Sequence, residues 1–199
     1  MSSLQTPFAM APIFLVLYGV AHMIDGLDGN YGPGIAWTLG HIMFLSGMLT
    51  FALVLVGLHR RIGQDTAKHK LIAGLALVCG LIGLSVFVRV IIIDIITGLR
   101  AGDHADMASI SARLNAYPSA GLERYYNVGP LLFQLGMLTL MIQMVVLHRL
   151  PWWGPVLLLA GFLLLGFNLN LLVPGALLIG CALMPLTAGK YKVRSNPAG

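Results

Sequence analysis

Charge is scarce in this sequence. Only 10% of its 199 residues are Asp, Glu, Lys or Arg, while 58% are hydrophobic. Soluble domains carry about 25% charged residues, so the composition excludes an ordinary soluble domain. It predicts an all-α, multi-pass membrane protein with one domain over residues 1–199. The length, the Leu, Gly and Ala bias and the basic tail are typical of small bacterial inner-membrane proteins, and we expect that location.

Cysteine and familiar catalytic motifs are also scarce. Cys79 and Cys181 both fall inside apolar runs, which excludes a secreted disulfide framework. The sequence has no GxxxxGK[ST] loop, no strand–GxGxxG–helix unit, no Ser nucleophile elbow and no CxxC pair, and these absences argue against the enzyme classes that use them. No cofactor is identified. Residues 1–7 lack the features of a cleaved signal peptide, so we expect the first apolar run to be retained.

Long apolar runs dominate what is present. A helix needs about 20 apolar residues to span the hydrocarbon, and six runs approach or exceed that length. Asn168-Leu169-Asn170 and Pro174-Gly175 are expected to separate the last two runs, since one helix over both would be about 55 Å long. The predicted spans are residues 8–25, 35–58, 71–96, 130–147, 152–167 and 171–188.

The distribution of Lys and Arg predicts the orientation of these spans. The net charge of +5 comes largely from short segments that flank apolar runs, and eight of the twelve Lys and Arg residues lie on one side of the predicted bundle. Orientation signals have this distribution, so no nucleic-acid partner is expected. The positive-inside bias makes this side and both termini cytoplasmic. The eight residues are Arg60, Arg61, Lys68, Lys70, Arg149, Lys190, Lys192 and Arg194.

The longest connection, residues 97–129, lies on the opposite side. Asp103 can cap a short helix, and Met107, Ile110 and Leu114 recur at helical spacing. We therefore expect an amphipathic helix at about residues 103–116, ended by Tyr117-Pro118. It would serve either as a lid over an outer cavity or as a plain connector.

An internal repeat links the second and fourth spans. Residues 44–60 and 133–149 are identical at nine of seventeen aligned positions without a gap. The fifth and sixth spans repeat this pattern more weakly. The pattern predicts three tandem helical hairpins in parallel orientation, although apolar helices that end in Leu-His-Arg could also resemble one another by convergence.

The ionisable groups inside or at the ends of spans mark the candidate site, because such groups are expensive in hydrocarbon and usually face a bundle interior. His22 and Asp25 share a face of the first helix, and His41 lies at a similar depth on the second. Arg89 would need a carboxylate partner, and Asp25 suits an inward-facing arginine better than Asp94. The candidate ligand-binding residues are Arg89, His22, Asp25, His41, Asp94, Gln134 and Asn168.

Several functions fit this set. The leading hypothesis is a transporter-like or sensor-like protein that binds a polar or amphipathic small molecule in an outward-facing pocket, with Arg89 holding an anionic group. An alternative is a membrane-embedded enzyme that acts on a lipid or isoprenoid, with Asp25, His22 and His41 as catalytic acid–base residues. A haem or metal redox subunit is a third, although no HxxxH or HExxH spacing is present, so no metal ligands are assigned. A structural subunit of a larger complex is a fourth. The expected partners are the bilayer, a hydrophobic or amphipathic small molecule and further copies of this chain, because a bundle of this size is thin.

Overall fold

The computed structural model describes residues 5–62, 66–116 and 119–187, which fold almost wholly into helix. The expected terminator Tyr117-Pro118 and the basic tail from residue 188 onward lie outside these ranges. Five helical segments are long and apolar enough to cross a membrane: α1, α2, α3, α5, and α7 together with the 3-10 turn that precedes it. The helices are α1 (Thr6–Asp25), α2 (Ile35–Ile62), α3 (Ala67–Arg100), α4 (His104–Leu114), α5 (Ala120–Val146), α6 (Trp153–Phe167) and α7 (Leu172–Thr187), with 3-10 turns at Gly26–Asp28 and Leu169–Leu171.

The fifth predicted span is present as α6, but it is short. Its 15 residues extend about 22 Å, less than the length that usually crosses a bilayer. Asn168 separates α6 from α7 as expected: its backbone is extended, and its side chain accepts the N–H of Asn170 at 2.9 Å. Pro174-Gly175, the other expected element of the break, follows it directly. Both residues lie in the first turn of α7, where a missing backbone N–H costs little.

The fourth predicted span begins ten residues earlier than expected. Ser119 caps α5 by accepting the N–H of Leu122 at 3.3 Å, and the helix continues through Pro130. A proline removes one helical hydrogen bond, which membrane helices tolerate where neighbours re-satisfy the freed group. Pro130 therefore lies inside the helix and does not start it. The third helix, α3, also extends past both predicted ends.

The six apolar helices form a ring in the order α1, α2, α3, α5, α6, α7, with α7 packed against α1, and α2 also contacts α5 across the ring. The closest pairs are the three successive hairpins, α1–α2, α3–α5 and α6–α7. Glycines permit this approach between α3 and α5, where a Cβ added to Gly136 would lie 2.6 Å from the Cα of Gly80. Small residues at such contacts are typical of helix packing in membranes.

The two ends of the ring differ in charge. The acidic end carries six of the seven acids and α4, and the basic end carries Arg60, Arg61 and Arg149. At the basic end Arg61 donates to the carbonyl of Leu186 at 3.1 Å, and its guanidinium lies 4.5 Å from the centre of the Phe8 ring. Arg149 donates to the carbonyl of Arg61. These contacts join α1, α2, α7 and the turn after α5.

The short helix at the acidic end is confirmed. Asp103 caps α4 by accepting the N–H of Asp106 at 2.8 Å. Met107, Ile110 and Leu114 are half-buried, whereas most of α4 is exposed. The helix packs on α3, and Met107 reaches the α1–α2 loop at Gly32. The apolar stripe of α4 therefore faces the bundle.

Candidate functional site

A cavity of about 370 Å³ lies inside the ring toward the acidic end. Two of its lining residues, Gly166 and Leu169, are exposed, so the cavity opens beside the end of α6. Its polar groups are Asp94 and Gln134, with Tyr18 beside them. Every helix of the ring contributes to the wall, for example through Tyr18, Phe44, Phe87, Phe133, Phe162 and Leu172.

Aromatic rings form a connected wall of this cavity. Tyr18 and Phe44 stack with their ring centroids 4.5 Å apart and their planes 3° apart. Phe87 meets Phe44 edge-on at 6.1 Å and Phe133 at 5.8 Å, and Phe133 meets Phe162 at 5.8 Å. Stacked and edge-to-face pairs at these distances are favourable. The rings of the wall are therefore held in place by one another.

His41 and Asp94 form a pair at the edge of the cavity. The Nε2 atom of His41 lies 3.6 Å from Oδ2 of Asp94. The Nδ1 atom of His41 lies 2.8 Å from the carbonyl oxygen of Trp37. A carbonyl can only accept a hydrogen bond, so Nδ1 carries a hydrogen and donates it. Nε2 is therefore the atom that faces the carboxylate.

Trp37 fixes this pair in position. Its indole N–H donates to the backbone carbonyl of Asp94 at 3.0 Å, and its ring lies 4.1 Å from the ring of His41. Gly98 leaves room for the indole, because a Cβ at that position would overlap the Trp37 ring. The α2 and α3 helices are therefore held together at the level of the His41–Asp94 pair.

His22 and Asp25 organise the loop beside the cavity. The His22 ring stacks on Tyr31 with centroids 4.5 Å apart and planes 8° apart. The carboxylate of Asp25 accepts the backbone N–H of Gly32 at 2.8 Å. Gly32 has a φ of +59°, which favours glycine. Both predicted residues thus lie near His41 and support the chain that leads into α2.

Arg89 faces a different group of residues. Its guanidinium donates to the carbonyl of Leu114 at 3.1 Å and lies 4.3 Å from the centre of the Tyr126 ring. Ser85 lies one helical turn before Arg89 on α3, and its hydroxyl lies 2.6 Å from that of Tyr125. The contacts of Arg89 and Ser85 join α3 to α4 and α5. Arg89 makes these contacts in place of the expected pairing with Asp25.

The predicted site residues therefore fall into distinct places. Asp94 and Gln134 line the cavity, and the imidazole of His41 lies 3.6 Å from the carboxylate of Asp94. Asn168 caps the 3-10 turn that carries Leu169 at the cavity mouth. Across residues 5–62, 66–116 and 119–187, no group of three or more His, Cys, Asp and Glu side chains could hold a metal ion.

Sequence reasoning missed two features of this site. One is Trp37, which stands one helical turn before His41, so the spacing already put both on one face of α2. The other is the aromatic wall, whose Phe44, Phe87 and Phe133 look like ordinary lipid-facing residues in the sequence. Their convergence depends on helix rotation, which apolar composition does not specify.

Comparison with known proteins does not assign this chain to a family. No protein-family model, no curated protein and no solved structure matches it. Its function therefore rests on the chemistry of the cavity and of the groups around it.

Proposed function

We propose that this integral membrane protein binds an amphipathic small molecule in the cavity at its acidic end, as a transporter-like or sensor-like component. The observation that carries the proposal is the combination of an aromatic wall with the carboxylate of Asp94 and the amide of Gln134 in one cavity. Ligand pockets have volumes of about 300–1,000 Å³, mostly apolar walls and a few convergent polar groups. This cavity has the same make-up.

The cavity suits a guest with two unlike parts. An apolar or aromatic body would lie among Phe44, Phe87 and Phe133, which line the cavity. A polar head would reach Asp94 and Gln134 near the acidic end. A purely apolar guest would leave the polar groups without a ligand partner, so the site favours an amphipathic molecule over a plain hydrocarbon.

The proposed membrane arrangement has six spans, with both termini cytoplasmic and the acidic end outside. The basic residues of the α2–α3 and α5–α6 connections support this orientation. Exposed Trp152 lies beside Arg149 and suits an interfacial anchor for α6. The cavity would then open toward the outer face of the bacterial plasma membrane.

Two pairs of glycines support duplication of the hairpin. Gly40 and Gly47 of α2 correspond to Gly129 and Gly136 of α5 at the repeat's offset of 89 residues. In each hairpin, both glycines meet the first helix: Gly47 faces Phe14 of α1, and the two glycines of α5 face α3. Glycines at equivalent helix contacts are expected if the two hairpins arose by duplication.

A matched ligand series tests the proposal. We would titrate 4-phenylbutanol, 4-phenylbutylamine and 4-phenylbutyrate into the protein in lipid nanodiscs and count the bound molecules by native mass spectrometry. This measurement also reports whether the chain forms a homo-oligomer. The test variant is Leu165→Trp, which fills the cavity from its wall. The control is Leu163→Trp on the same helix, where the side chain is 64% exposed.

We expect saturable binding of at least one probe, lost in Leu165→Trp and kept in Leu163→Trp. Absence of saturable binding by all three probes, or equal binding in both variants, would contradict the proposal. The carboxylate probe also tests the hypothesis that Arg89 holds an anion. Preferential binding of 4-phenylbutyrate, lost in Arg89→Gln, would favour that hypothesis over a head group at Asp94.

Acid–base catalysis on a lipid or isoprenoid is the second candidate function. The observation that favours it is the His41–Asp94 pair, which places two proton-transfer groups 3.6 Å apart beside an apolar cavity. Incubation of the protein with a total lipid extract, followed by mass spectrometry of the lipids, tests it. Turnover that is lost in His41→Gln would support catalysis, and an unchanged lipid profile would leave binding as the function.

A further inference from the structure

We propose that the cavity is a cation–proton exchange site, in which an organic ammonium ion binds Asp94 and expels one proton from the His41–Asp94 pair. This inference rests on the proposed function and specifies the ligand class. It follows from the hydrogen-bond geometry of His41, the accessibility of Asp94 and the composition of the cavity wall.

The geometry of His41 determines how many protons the pair holds. Nδ1 donates to the carbonyl of Trp37 at 2.8 Å, so Nε2 faces the carboxylate of Asp94 at 3.6 Å. A neutral imidazole with its hydrogen on Nδ1 would turn a lone pair toward a charged carboxylate, which is repulsive. One proton on either Nε2 or the carboxylate removes the repulsion. In both forms the pair has no net charge, as suits a site with few neighbouring charges.

Within the part of the chain that the structure describes, no Lys or Arg lines the cavity beside the pair. From α1 the titratable neighbours are Tyr18, His22 and Asp25. From α5 and α6 the cavity residues that face Asp94 are the amide Gln134 and apolar side chains. Arg89, on the same helix as Asp94, contacts Leu114 and Tyr126 on the side of α4 and α5. An added positive charge is therefore attracted to Asp94.

Asp94 is the accessible partner of the pair. Its side chain is 27% exposed, compared with 6% for His41, and it lines the cavity. Tyr18, Phe44 and Phe87 line the same cavity, and aromatic rings attract cations that lie over their faces. An ammonium ion in the cavity can thus reach the carboxylate of Asp94.

The exchange balances in charge and in protons. Before binding, the pair holds one proton and is neutral, and the ligand carries one positive charge. After binding, the ammonium pairs with the Asp94 carboxylate, His41 keeps only its Nδ1 hydrogen, and one proton leaves for water. No covalent bond of the ligand changes. A site of this kind couples the uptake of an organic cation to the release of a proton.

Isothermal titration in nanodiscs between about pH 5.5 and 8.5 tests the exchange, because an alkylammonium stays charged throughout this range. The probes are 4-phenylbutylamine and neutral 4-phenylbutanol. In the acidic part of the range we expect the Kd of the amine to fall about tenfold for each unit by which the pH rises. Titration in two buffers of different ionisation enthalpy should show one proton released per bound amine. The Kd of the alcohol should not change with pH.

Asp94→Asn identifies the carboxylate as the group responsible. In this variant we expect at least tenfold weaker amine binding and no proton release, while retained binding of the alcohol shows that the cavity is intact. The control Asp28→Asn makes the same change at an exposed position of the acidic end and should behave like wild type. Amine binding that is independent of pH, or proton release that persists in Asp94→Asn, would overturn the exchange and leave the proposed function in place. Failure of both probes to bind would overturn the exchange, and failure of 4-phenylbutyrate as well would overturn the proposed function.

Discussion

Trp37 donates its indole N–H to the backbone carbonyl of Asp94 at 3.0 Å, and it thereby ties α2 to α3 at the cavity. The bond uses the backbone carbonyl of Asp94, so the Asp94 side chain stays available to the cavity. It also fixes the position of Asp94 relative to α2. The same indole packs against His41, so one side chain sets the position of both members of the pair.

Trp37→Phe should weaken this connection. The substitution keeps an aromatic ring against His41 but removes the hydrogen bond to Asp94, which is worth about 1 kcal/mol. We expect a lower midpoint of thermal unfolding, measured by circular dichroism in detergent. Trp152→Phe is the control, because that side chain is 72% exposed and should leave the midpoint unchanged. Equal effects of the two substitutions would contradict the account.

Gly98→Ala should destabilise the same contact. The added methyl group would overlap Cδ1 of Trp37, and overpacking of this kind costs about 1–3 kcal/mol. Gly74→Ala on the same helix is the matched control, since its Cβ meets nothing within 4 Å. Alanine there should leave the unfolding midpoint unchanged or raise it, because glycine weakens a helix interior. A Gly98→Ala protein as stable as wild type would show that the indole is not confined by α3.

Arg61→Ala should destabilise the basic end. Arg61 holds the carbonyl of Leu186 and the ring of Phe8, and a hydrogen bond from a charged group contributes about 2 kcal/mol. Arg60→Ala removes the same charge at an exposed neighbouring position and should have little effect. The free energy of unfolding of the two variants, measured in the same detergent, distinguishes a structural contact from a loss of charge alone.

Arg89→Gln should loosen α4. The guanidinium of Arg89 holds the carbonyl at the end of α4 and lies against Tyr126 of α5. We expect faster hydrogen exchange at the amides of residues 104–114, observed by mass spectrometry. Arg113→Gln is the control, because Arg113 bonds to Ser109 of its own helix. Unchanged exchange in Arg89→Gln would show that α4 is held by its apolar stripe alone.

The sequence was sufficient for features that depend on local chemistry. The cap at Asp103 and the break at Asn168 follow from side chains that bond to nearby backbone groups. Five helices of membrane-spanning length follow from apolar composition. The start of α5 was missed, because the apolar run predicted a span from residue 130, whereas Ser119 caps the helix earlier in the chain.

The site was predictable only in part. His41, Asp94 and Gln134 stood out because polar groups in apolar runs are costly, and two of them line the cavity. Which of these groups meet was beyond the sequence, since neighbouring residues on a helix point about 100° apart and the rotation of each helix is set by packing. Arg89 and Val90 illustrate this, because only Val90 lines the cavity.

Photoaffinity labelling tests the central claim most directly. The azide of 4-(4-azidophenyl)butylamine would be activated in nanodiscs, and the labelled peptides would be mapped by mass spectrometry. The account predicts saturable labels in residues 87–94 and 130–134, competed by 4-phenylbutylamine and lost in Leu165→Trp. Labels confined to the apolar groove between α1 and α7, around Pro12 and Gly180, would contradict it.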